Sequence, residues 1–307
     1  MNDKNGKETV LELNALTVRY GKMIAADAVT LSMKKGQVYA LIGRNGAGKT
    51  SIIRCLLGER KANGGRTLLF GEDPWKKRKN VMERVGVVPE EPDAPPELTS
   101  RQLITFCSRI YPSWDGRSVR ERLERFMVPV NLPFQRLSKG QKGQLMLALA
   151  LGALPELLIL DDPTLGLDAV ARKTFFEELV GELADRGASV FLTSHDLTGV
   201  ESMADRIGII SKGKLLIDEP LQTLKSRFRR ITFGSEGPSI DESGTLAAMK
   251  PLGATSREWG TEAVVEKFSD EAFALFAKSP GVADAEASPM SLEEIFIALN
   301  AEGGELS

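Results

Sequence analysis

The sequence has 307 residues, of which 42% are hydrophobic and 27% charged, and its formal net charge is −2. These proportions are typical of a soluble globular protein, and they exclude a disordered chain, a collagen-like repeat and a coiled-coil rod. A net charge so close to zero gives no general attraction to nucleic acid or to anionic lipid.

Neither a leader nor a membrane span is predicted. The first ten residues contain no apolar core of the kind that a signal peptide requires. The apolar stretch from Leu145 to Leu160 is shorter than the roughly 20 residues of a membrane span, and Pro155 interrupts it. We interpret it as a buried helix followed by a buried strand.

The sequence contains two cysteines, Cys55 and Cys107, which are too few for a disulfide scaffold. This number fits a reducing cytoplasm.

Short apolar segments alternate with helical patterns, which predicts strands of a mainly parallel sheet. Leu11 and Leu13 alternate with polar residues, as in a half-buried strand, and a second strand is expected from about Met23 to Met33. Residues from about 98 to 128 lack strand-like runs and predict a helical insertion. Further strands are expected at Val38–Gly43, Val85–Val88, Leu157–Leu160, Val190–Leu192 and Ile207–Ile210.

The residues from Ile231 onward differ in composition from the rest, because carboxylates greatly outnumber basic side chains there. The change follows the basic run 225–230, where we place a domain boundary that divides the chain into residues 1–225 and 226–307. In the acidic part, residues 262–268 predict a strand and residues 271–278 a helix. Ser291 and Glu294 form a capping-box pattern before a final helix. A small α+β domain is expected.

The strongest local motif is the segment from Gly43 to Thr50, which matches the pattern GxxxxGK[ST] between an apolar strand and a helical pattern. Its glycines let backbone N–H groups approach phosphate oxygens without a Cβ clash. Lys49 would neutralise phosphate charge, and the Thr50 hydroxyl would bind Mg²⁺. The alternative is a glycine-rich turn without a ligand, which the flanking strand and helix disfavour.

A second motif is LLILDD, from Leu157 to Asp162. Carboxylates at the end of a buried strand are costly unless they meet a cation or a polar cleft. At the carboxyl end of a parallel strand they would face the same crevice as the phosphate loop. We expect Asp161 to hold Mg²⁺ through water and Asp162 to lie nearer the attacking water; the alternative is a pair of helix caps before Pro163.

A third motif, LSKGQ at Leu137–Gln141, precedes the apolar helix and resembles the LSGGQ signature of ATP-binding-cassette (ABC) proteins. With the two motifs above and their order, the resemblance covers about residues 10–220. It implies an α/β fold, that of a P-loop nucleotide hydrolase of the ABC type. Such a fold has an antiparallel β subdomain, a helical insertion (about 91–153) and here a small C-terminal α+β domain.

The resemblance also implies a role for individual residues. Tyr20 matches the aromatic residue on which adenine stacks, and Glu90 stands where a glutamine usually contacts Mg²⁺. The segment Leu165–Asp168 matches a loop that crosses to the opposite subunit. His195, which is the only histidine, matches the residue that contacts the γ-phosphate. The implied catalytic residues are Asp162, His195 and Glu90, and the implied metal ligands are Thr50, Glu90 and Asp161. The implied nucleotide-binding residues are Tyr20, Gly43, Arg44, Asn45, Gly46, Ala47, Gly48, Lys49, Thr50, Ser51, Ser138, Lys139, Gly140, Gln141 and Asp168.

In proteins of this family ATP lies between two subunits, so the resemblance implies a second ATPase subunit, in a homodimer or a heterodimer. Ser138 and Gly140 of one chain would meet the phosphate loop of the other.

Two departures from the residues usual in this family bear on the rate of hydrolysis. Asp162 replaces the usual glutamate and is one methylene shorter, and Glu90 adds charge near the phosphates. We therefore expect slow, Mg²⁺-dependent ATP hydrolysis.

A chain with one phosphate loop and no heptads resembles the ATPase subunit of an exporter-type (ABC-2) transporter, and residues 111–115 and 291–296 support that type. It implies membrane-spanning permease partners, docking near residues 90–115, and a peripheral place on the cytoplasmic face of the cell membrane. The alternative is a soluble ATP-driven scaffold or switch without transport. The basic run Lys76–Lys79 is interpreted as a solvated helix face, so no nucleic acid partner is expected.

Overall fold

The computed structural model describes residues 8–235, 244–257 and 260–301, apart from the side chains of residues 182–185, 235 and 301. The chain forms two compact units, which meet in sequence between Asp218 and Glu219. The boundary therefore lies before the basic run at 225–230, because the helix Leu221–Arg227 belongs to the second unit.

The first unit contains nine strands and seven α-helices among the described residues. The strands are β1 (Thr9–Tyr20), β2 (Met23–Lys34), β3 (Val38–Ile42), β4 (Gly64–Leu69), β5 (Val85–Val88), β6 (Leu157–Asp161), β7 (Ser189–Thr193), β8 (Arg206–Ser211) and β9 (Lys214–Pro220), which runs across the boundary. The helices are α1 (Lys49–Leu56), α2 (Arg78–Met82), α3 (Ser100–Ile110), α4 (Gly116–Arg125), α5 (Lys139–Gly152), α6 (Ala169–Arg186) and α7 (Leu197–Met203).

Two sheets of the first unit carry the site. The smaller sheet is antiparallel, in the order β2-β1-β4. It buries alternate residues in the second half of β2, at Val29, Leu31 and Met33, as a period-two strand requires. The larger sheet has the order β5-β6-β7-β3-β8-β9. Its strand β3 pairs in parallel with β7 and β8, and β6 pairs in parallel with β5 and β7. The predicted apolar strands and the mainly parallel sheet are confirmed.

The carboxyl ends of the parallel strands lie at one edge of the larger sheet. Strands β3, β6 and β7 are buried at every position, which explains why their sequences are apolar except at the ends of β6 and β7. The residues that follow these strands therefore emerge side by side. This edge brings the phosphate loop after β3 close to the acidic residues of β6.

The helices α3, α4 and α5 follow one another between β5 and β6 and correspond to the predicted insertion. Thr99 begins α3 with a capping box that includes Gln102, which supplies partners for the first backbone N–H groups. Helix α5 buries most of its length, and β6 follows it directly, as the interrupted apolar stretch predicts. In the described part of the chain, no helix has the length and apolar character that crossing a membrane requires.

The second unit is an α+β fold, as expected. Its helices are α8 (Leu221–Arg227), α9 (Asp270–Ala277) and α10 (Leu292–Ala301), and its strands are β10 (Arg229–Ser235), β11 (Pro251–Arg257), β12 (Gly260–Val265) and β13 (Val282–Pro289). The strands form an antiparallel sheet in the order β11-β12-β10-β13. Phe233 and Phe276 pack edge to face at 5.0 Å within its core. Ser291 and Glu294 form the predicted capping box, because the Ser291 hydroxyl accepts from the Glu294 backbone.

Candidate active site

The phosphate loop between β3 and α1 requires glycine at two positions. Gly48 has φ +110°, and a Cβ placed on it would lie 1.9 Å from the carbonyl oxygen of Ala25. A Cβ on Gly43 would lie 2.4 Å from the carbonyl oxygen of Ile210. The loop backbone therefore runs against β2 and β8 with no space for a side chain, and its N–H groups stay accessible to an anion.

Lys49 lies inside this loop. Its side chain is buried, and its amine donates to the carbonyl oxygens of Gly43, at 2.7 Å, and Arg44, at 3.3 Å. Burial lowers the pKa of Lys49, and the charges of Asp162 and Asp161 oppose that shift. The loop thus holds a cation close to two carboxylates before any ligand is considered.

Asp161 and Asp162 are fixed by the neighbouring strand. The parallel register of β6 and β7 sets Asp161 opposite Thr193. The Thr193 hydroxyl donates to Asp161 Oδ1 at 2.7 Å and accepts from the backbone N–H of Asp162 at 3.1 Å. One threonine therefore orients both acidic residues. The sequence motif did not include it, although its place at the end of the strand before His195 is a signal that could have found it.

Asp162 and His195 contact each other directly. The Asp162 Oδ2 atom lies 2.9 Å from His195 Nε2, and Oδ1 accepts from the His195 backbone N–H at 3.4 Å. Asp162 adopts φ +45°, a left-handed conformation that aspartate tolerates better than most residues. Burial raises the pKa of the Asp162 carboxyl, while the nearby charges of His195 and Lys49 act against the shift. Two of the three predicted catalytic residues, Asp162 and His195, thus form a pair.

A cavity of about 320 Å³ unites most of the predicted residues. Its lining comprises Met23, Ala25, Asn45, Gly46, Ala47, Gly48, Lys49, Thr50, Ser51, Glu90, Asp161, Asp162 and His195. Met23 and Ala25 of β2 are additions that no motif indicated. Their small or flexible apolar side chains meet the loop because β2 runs beneath Gly48.

The chemistry of this cavity fits a magnesium-bound triphosphate. The loop offers backbone N–H groups and the Lys49 cation to phosphate oxygens. Thr50, Glu90 and Asp161 offer only oxygen atoms, which Mg²⁺ prefers. Within the described residues, no three His, Cys, Asp or Glu side chains form a ready metal cluster. Mg²⁺ usually takes one or two carboxylates and several waters besides phosphate oxygens.

Tyr20 lies at the end of β1, outside the lining of the cavity but linked to it. The Ser51 hydroxyl donates to the Tyr20 hydroxyl at 3.5 Å, and this hydrogen bond is the main cause that lowers the pKa of Tyr20. The Arg60 guanidinium lies 3.8 Å from the centre of the Tyr20 ring. Arg60 thus covers one face of the ring by a cation–π contact, which the sequence did not indicate.

The signature segment begins α5, away from the residues that line the cavity. The Ser138 hydroxyl accepts from the Gln141 backbone N–H at 3.1 Å, and the Gln141 side chain accepts from the Ser138 N–H at 3.0 Å. Lys139 and Gly140 lie against the loop that precedes α6, because Cβ atoms placed on Gly166 and Gly140 would contact Lys139 and Leu167, respectively. Two of the predicted segments are therefore neighbours.

Asp168 begins α6. Its carboxylate accepts from the backbone N–H of Ala171 at 2.8 Å, which is the geometry of a helix N-cap. Asp168 therefore caps α6 and is also the last residue of the loop Leu165–Asp168.

Comparison with known proteins tests the resemblance. A family model described as "ABC transporter" matches residues 26–165. The bacitracin transport ATP-binding protein BcrA of Bacillus licheniformis is 37% identical over 227 residues, which are 72% of this chain and 73% of that protein. The ABC transporter ATP-binding protein YtrB of Bacillus subtilis (strain 168) is 31% identical over 289 residues, which are 91% of this chain and 93% of that protein.

A solved structure of the ATP-binding subunit of an ABC transporter shares the fold, with a TM-score of 0.65 and 26% identity. The match covers 71% of this chain and 93% of that one. The resemblance drawn from the three motifs is thus confirmed by sequence similarity along most of the chain and by the fold. The protein belongs to the ABC transporter family, as an ATP-binding subunit.

Proposed function

We propose that this protein hydrolyses ATP in the cavity at the edge of the larger sheet and thereby powers transport through separate membrane-spanning subunits. The observation that carries the proposal is the convergence of Lys49, Asp161, Asp162 and His195 on one cavity. These residues come from three different segments, and together they supply a phosphate-binding cation, a metal ligand and a proton acceptor.

In this proposal the loop from Gly43 to Ser51 binds the triphosphate. Lys49 moves its amine from the loop carbonyls to phosphate oxygens, for which a charge-assisted hydrogen bond is the stronger interaction. Tyr20 stacks on the adenine through the ring face that Arg60 does not cover. Arg60 then supports the stacked ring from behind.

Thr50 and Asp161 would hold Mg²⁺, with Glu90 as a further oxygen ligand. When bound, Mg²⁺ would offset the negative charge on the phosphate oxygens. Thr193 keeps Asp161 in place for this role through its 2.7 Å hydrogen bond. Replacing the usual glutamine by Glu90 adds one negative charge beside the phosphates, which weakens nucleotide binding relative to an amide.

Asp162 would accept a proton from the attacking water, and His195 would contact the γ-phosphate. Both Asp162 oxygens have His195 as a partner in the structure, so the carboxylate has to exchange one of these contacts for the water. The shorter side chain makes this exchange less favourable, and we infer a slow rate of hydrolysis.

The signature residues would act on a second chain. Ser138, Lys139, Gly140 and Gln141 are not among the residues that line the cavity of their own chain, which supports a contact with nucleotide across an interface. We infer a dimer in which each signature completes the partner's site, with Asp168 at the same interface. A homodimer is the simpler arrangement, and a heterodimer with a faster second site is the alternative.

The relatives support the transport hypothesis over a soluble switch. BcrA is named as a bacitracin transport protein, and the SkfA peptide export ATP-binding protein SkfE of Bacillus subtilis (strain 168) is 34% identical over 215 residues. By analogy, we propose export and a peripheral place on the cytoplasmic face of the membrane. Phe106 and Ile110, which are 57% exposed on α3, offer an apolar docking face in the insertion.

The test of nucleotide binding compares the purified protein with its Lys49→Ala variant. Loss of a charge-assisted contact costs about 1.5–3 kcal/mol, so the affinity for Mg-ATP should fall by roughly 10- to 100-fold, and ATP hydrolysis should be lost. Lys61→Ala, at an exposed position, is the matched control. Equal affinity in all three proteins, measured by calorimetry, would refute the proposed site.

The transport part is tested by copurification. The tagged protein is isolated from detergent-solubilised membranes, and membrane-spanning subunits should copurify with it. A protein that is recovered only from the soluble fraction, with full ATPase activity, would favour the alternative of a soluble switch.

A further inference from the structure

Arg172, one turn into α6, joins two loops of the active site. Its Nη2 atom donates to the carbonyl oxygen of Leu167 at 3.4 Å, in the loop Leu165–Asp168. Its Nε atom lies 3.5 Å from Asp196 Oδ2, and Asp196 directly follows His195. One guanidinium thus contacts the segment expected to meet a second chain and the segment that carries His195.

Asp196 has two separate contacts of its own. Its Oδ1 atom accepts from the Gly199 N–H at 3.2 Å and so caps α7, and its backbone N–H donates to Ser194 Oγ at 2.9 Å. Its position is therefore tightly linked to that of the His195 backbone. A movement of Arg172 that pulls on Asp196 Oδ2 would be passed to His195 and to its contact with Asp162.

The contact between Arg172 and Asp196 is incomplete in the structure. The Nε and Oδ2 atoms are both buried and have no hydrogen-bond partner in the described part of the chain, although their charges are opposite. Buried polar atoms without a partner are unfavourable, so a small shift that shortens the 3.5 Å contact is favoured. A cavity of about 640 Å³ adjoins both side chains between α6 and α7, which leaves space for such a shift.

We propose that Arg172 is a positioning residue that couples the loop Leu165–Asp168 to His195. When a second chain contacts the loop, the Leu167 carbonyl and Arg172 move together, and the contact with Asp196 closes and sets the position of His195. ATP hydrolysis then depends on the partner's presence through this path as well as through the signature. The proposal rests on the proposed function for its effect on rate. A measurement on His195 that needs no hydrolysis distinguishes a failure of the coupling from a failure of the proposed function.

The first test is the rate of ATP hydrolysis in Arg172→Met, with Lys173→Met as the matched control on the same helix. Lys173 is 79% exposed and forms a surface ion pair with Glu177. Because His195 acts on bound nucleotide, kcat should fall by about 10- to 100-fold, as expected for a misplaced catalytic group, while KM stays within about twofold. Arg172→Lys should recover only part of kcat, since an ammonium lacks the fork that spans both acceptors. Equal loss of kcat in Lys173→Met, or an unchanged kcat in Arg172→Met, overturns the proposal.

The second test is a double-mutant cycle with Asp196→Asn. Asparagine caps a helix as well as aspartate does, so this variant removes the charge that faces Arg172 and keeps α7 intact. If Arg172 acts through Asp196, then Arg172→Met should cause little further loss of kcat in the Asp196→Asn background. Fully additive losses would show that the two residues act independently.

The third test does not depend on hydrolysis. Because His195 is the only histidine, its ring protons give one identifiable set of NMR signals in the full chain carrying a tag without histidine. Arg172→Met should shift these signals, and Lys173→Met should not. A wild-type protein that binds no Mg-ATP would refute the proposed function alone, whereas unchanged His195 signals in Arg172→Met would refute the coupling.

Discussion

At the scale of single residues, the contact between Asp162 and His195 determines what the site can do. Strand β6 ends at Asp161, and Asp162 turns with φ +45°, so that its short side chain reaches His195 at 2.9 Å. The same contact occupies both carboxylate oxygens. An aspartate at this position is therefore well placed to orient His195 and less well placed to reach a water molecule.

This argument predicts the effect of Asp162→Glu. The added methylene extends the carboxylate by roughly 1 Å, and a displacement of that size can change a rate by as much as about 100-fold. We expect faster ATP hydrolysis, measured as phosphate release at saturating Mg-ATP. Asp162→Asn, which has the same size and cannot accept a proton, should lose activity. If Asp162→Glu is no faster than wild type while Asp162→Asn is inactive, side-chain length does not limit the rate.

Sequence alone could predict the parts of the site that lie within one segment. The phosphate loop and the acidic strand are recognisable because glycines or carboxylates directly follow an apolar run, so the chemistry and the element that positions it are adjacent. The contacts of Thr193 and Arg60 could not be predicted, because they depend on the register of β6 against β7 and on which side chain covers Tyr20. Arg60 leaves no local pattern, and the position of Thr193 before His195 does not by itself reveal its contact with Asp161.

At the scale of elements, burial explains which strands could be predicted. Strands β3, β6 and β7 are buried on both faces, so each contains a continuous apolar run. Strands β11 and β13 are exposed or half-buried and consist largely of small and polar residues, so no apolar run marks them in the sequence. Strand β12 (Gly260–Val265) overlaps the strand predicted at residues 262–268, and its residues Ala263 and Val265 are buried.

The start of α5 allows a structural role of Ser138 to be separated from a functional one. Its hydroxyl caps the helix, so Ser138→Ala should lower the free energy of unfolding by about 1 kcal/mol. Ser138→Asp keeps a capping oxygen but places a carboxylate where a partner's triphosphate is expected. We predict wild-type thermal stability and a loss of ATP hydrolysis of at least about tenfold for Ser138→Asp, because like charges repel at an interface. Normal hydrolysis in Ser138→Asp would mean that the signature does not face phosphate.

At the scale of the whole molecule, each unit has its own core. In the first unit, the apolar side chains of the smaller sheet pack with α1 and the larger sheet. In the second unit, Ile231, Phe233, Met249, Val265 and Phe276 are among the buried side chains of a separate cluster. A local change in one core is therefore expected to affect the stability of that unit first.

Glu266 provides a test in the second unit, because a partly buried ion network holds it. Arg227 Nη1 lies 2.8 Å from Glu266 Oε1, and the Lys250 amine binds Oε2. Burial disfavours the ionised form of Glu266, but the hydrogen bonds from Lys250 and Arg227 outweigh it, so the pKa lies below its usual value of 4.5. A lowered pKa means that the charged form stabilises the fold above pH 4.5 and that this contribution is lost as the pH falls through the lowered value.

We therefore predict that Glu266→Gln lowers the stability of the second unit by about 1–2 kcal/mol at pH 7 and that the difference from wild type shrinks as the pH falls below 4.5. Hydrogen exchange measured by mass spectrometry should show lower protection at pH 7 in β10 and β12, with β3 unchanged. Glu271→Gln, at an exposed position of α9, is the control and should match wild type. If the loss of protection in Glu266→Gln is equally large at low pH, packing and not charge is its cause. If β3 also loses protection, the two cores do not respond separately.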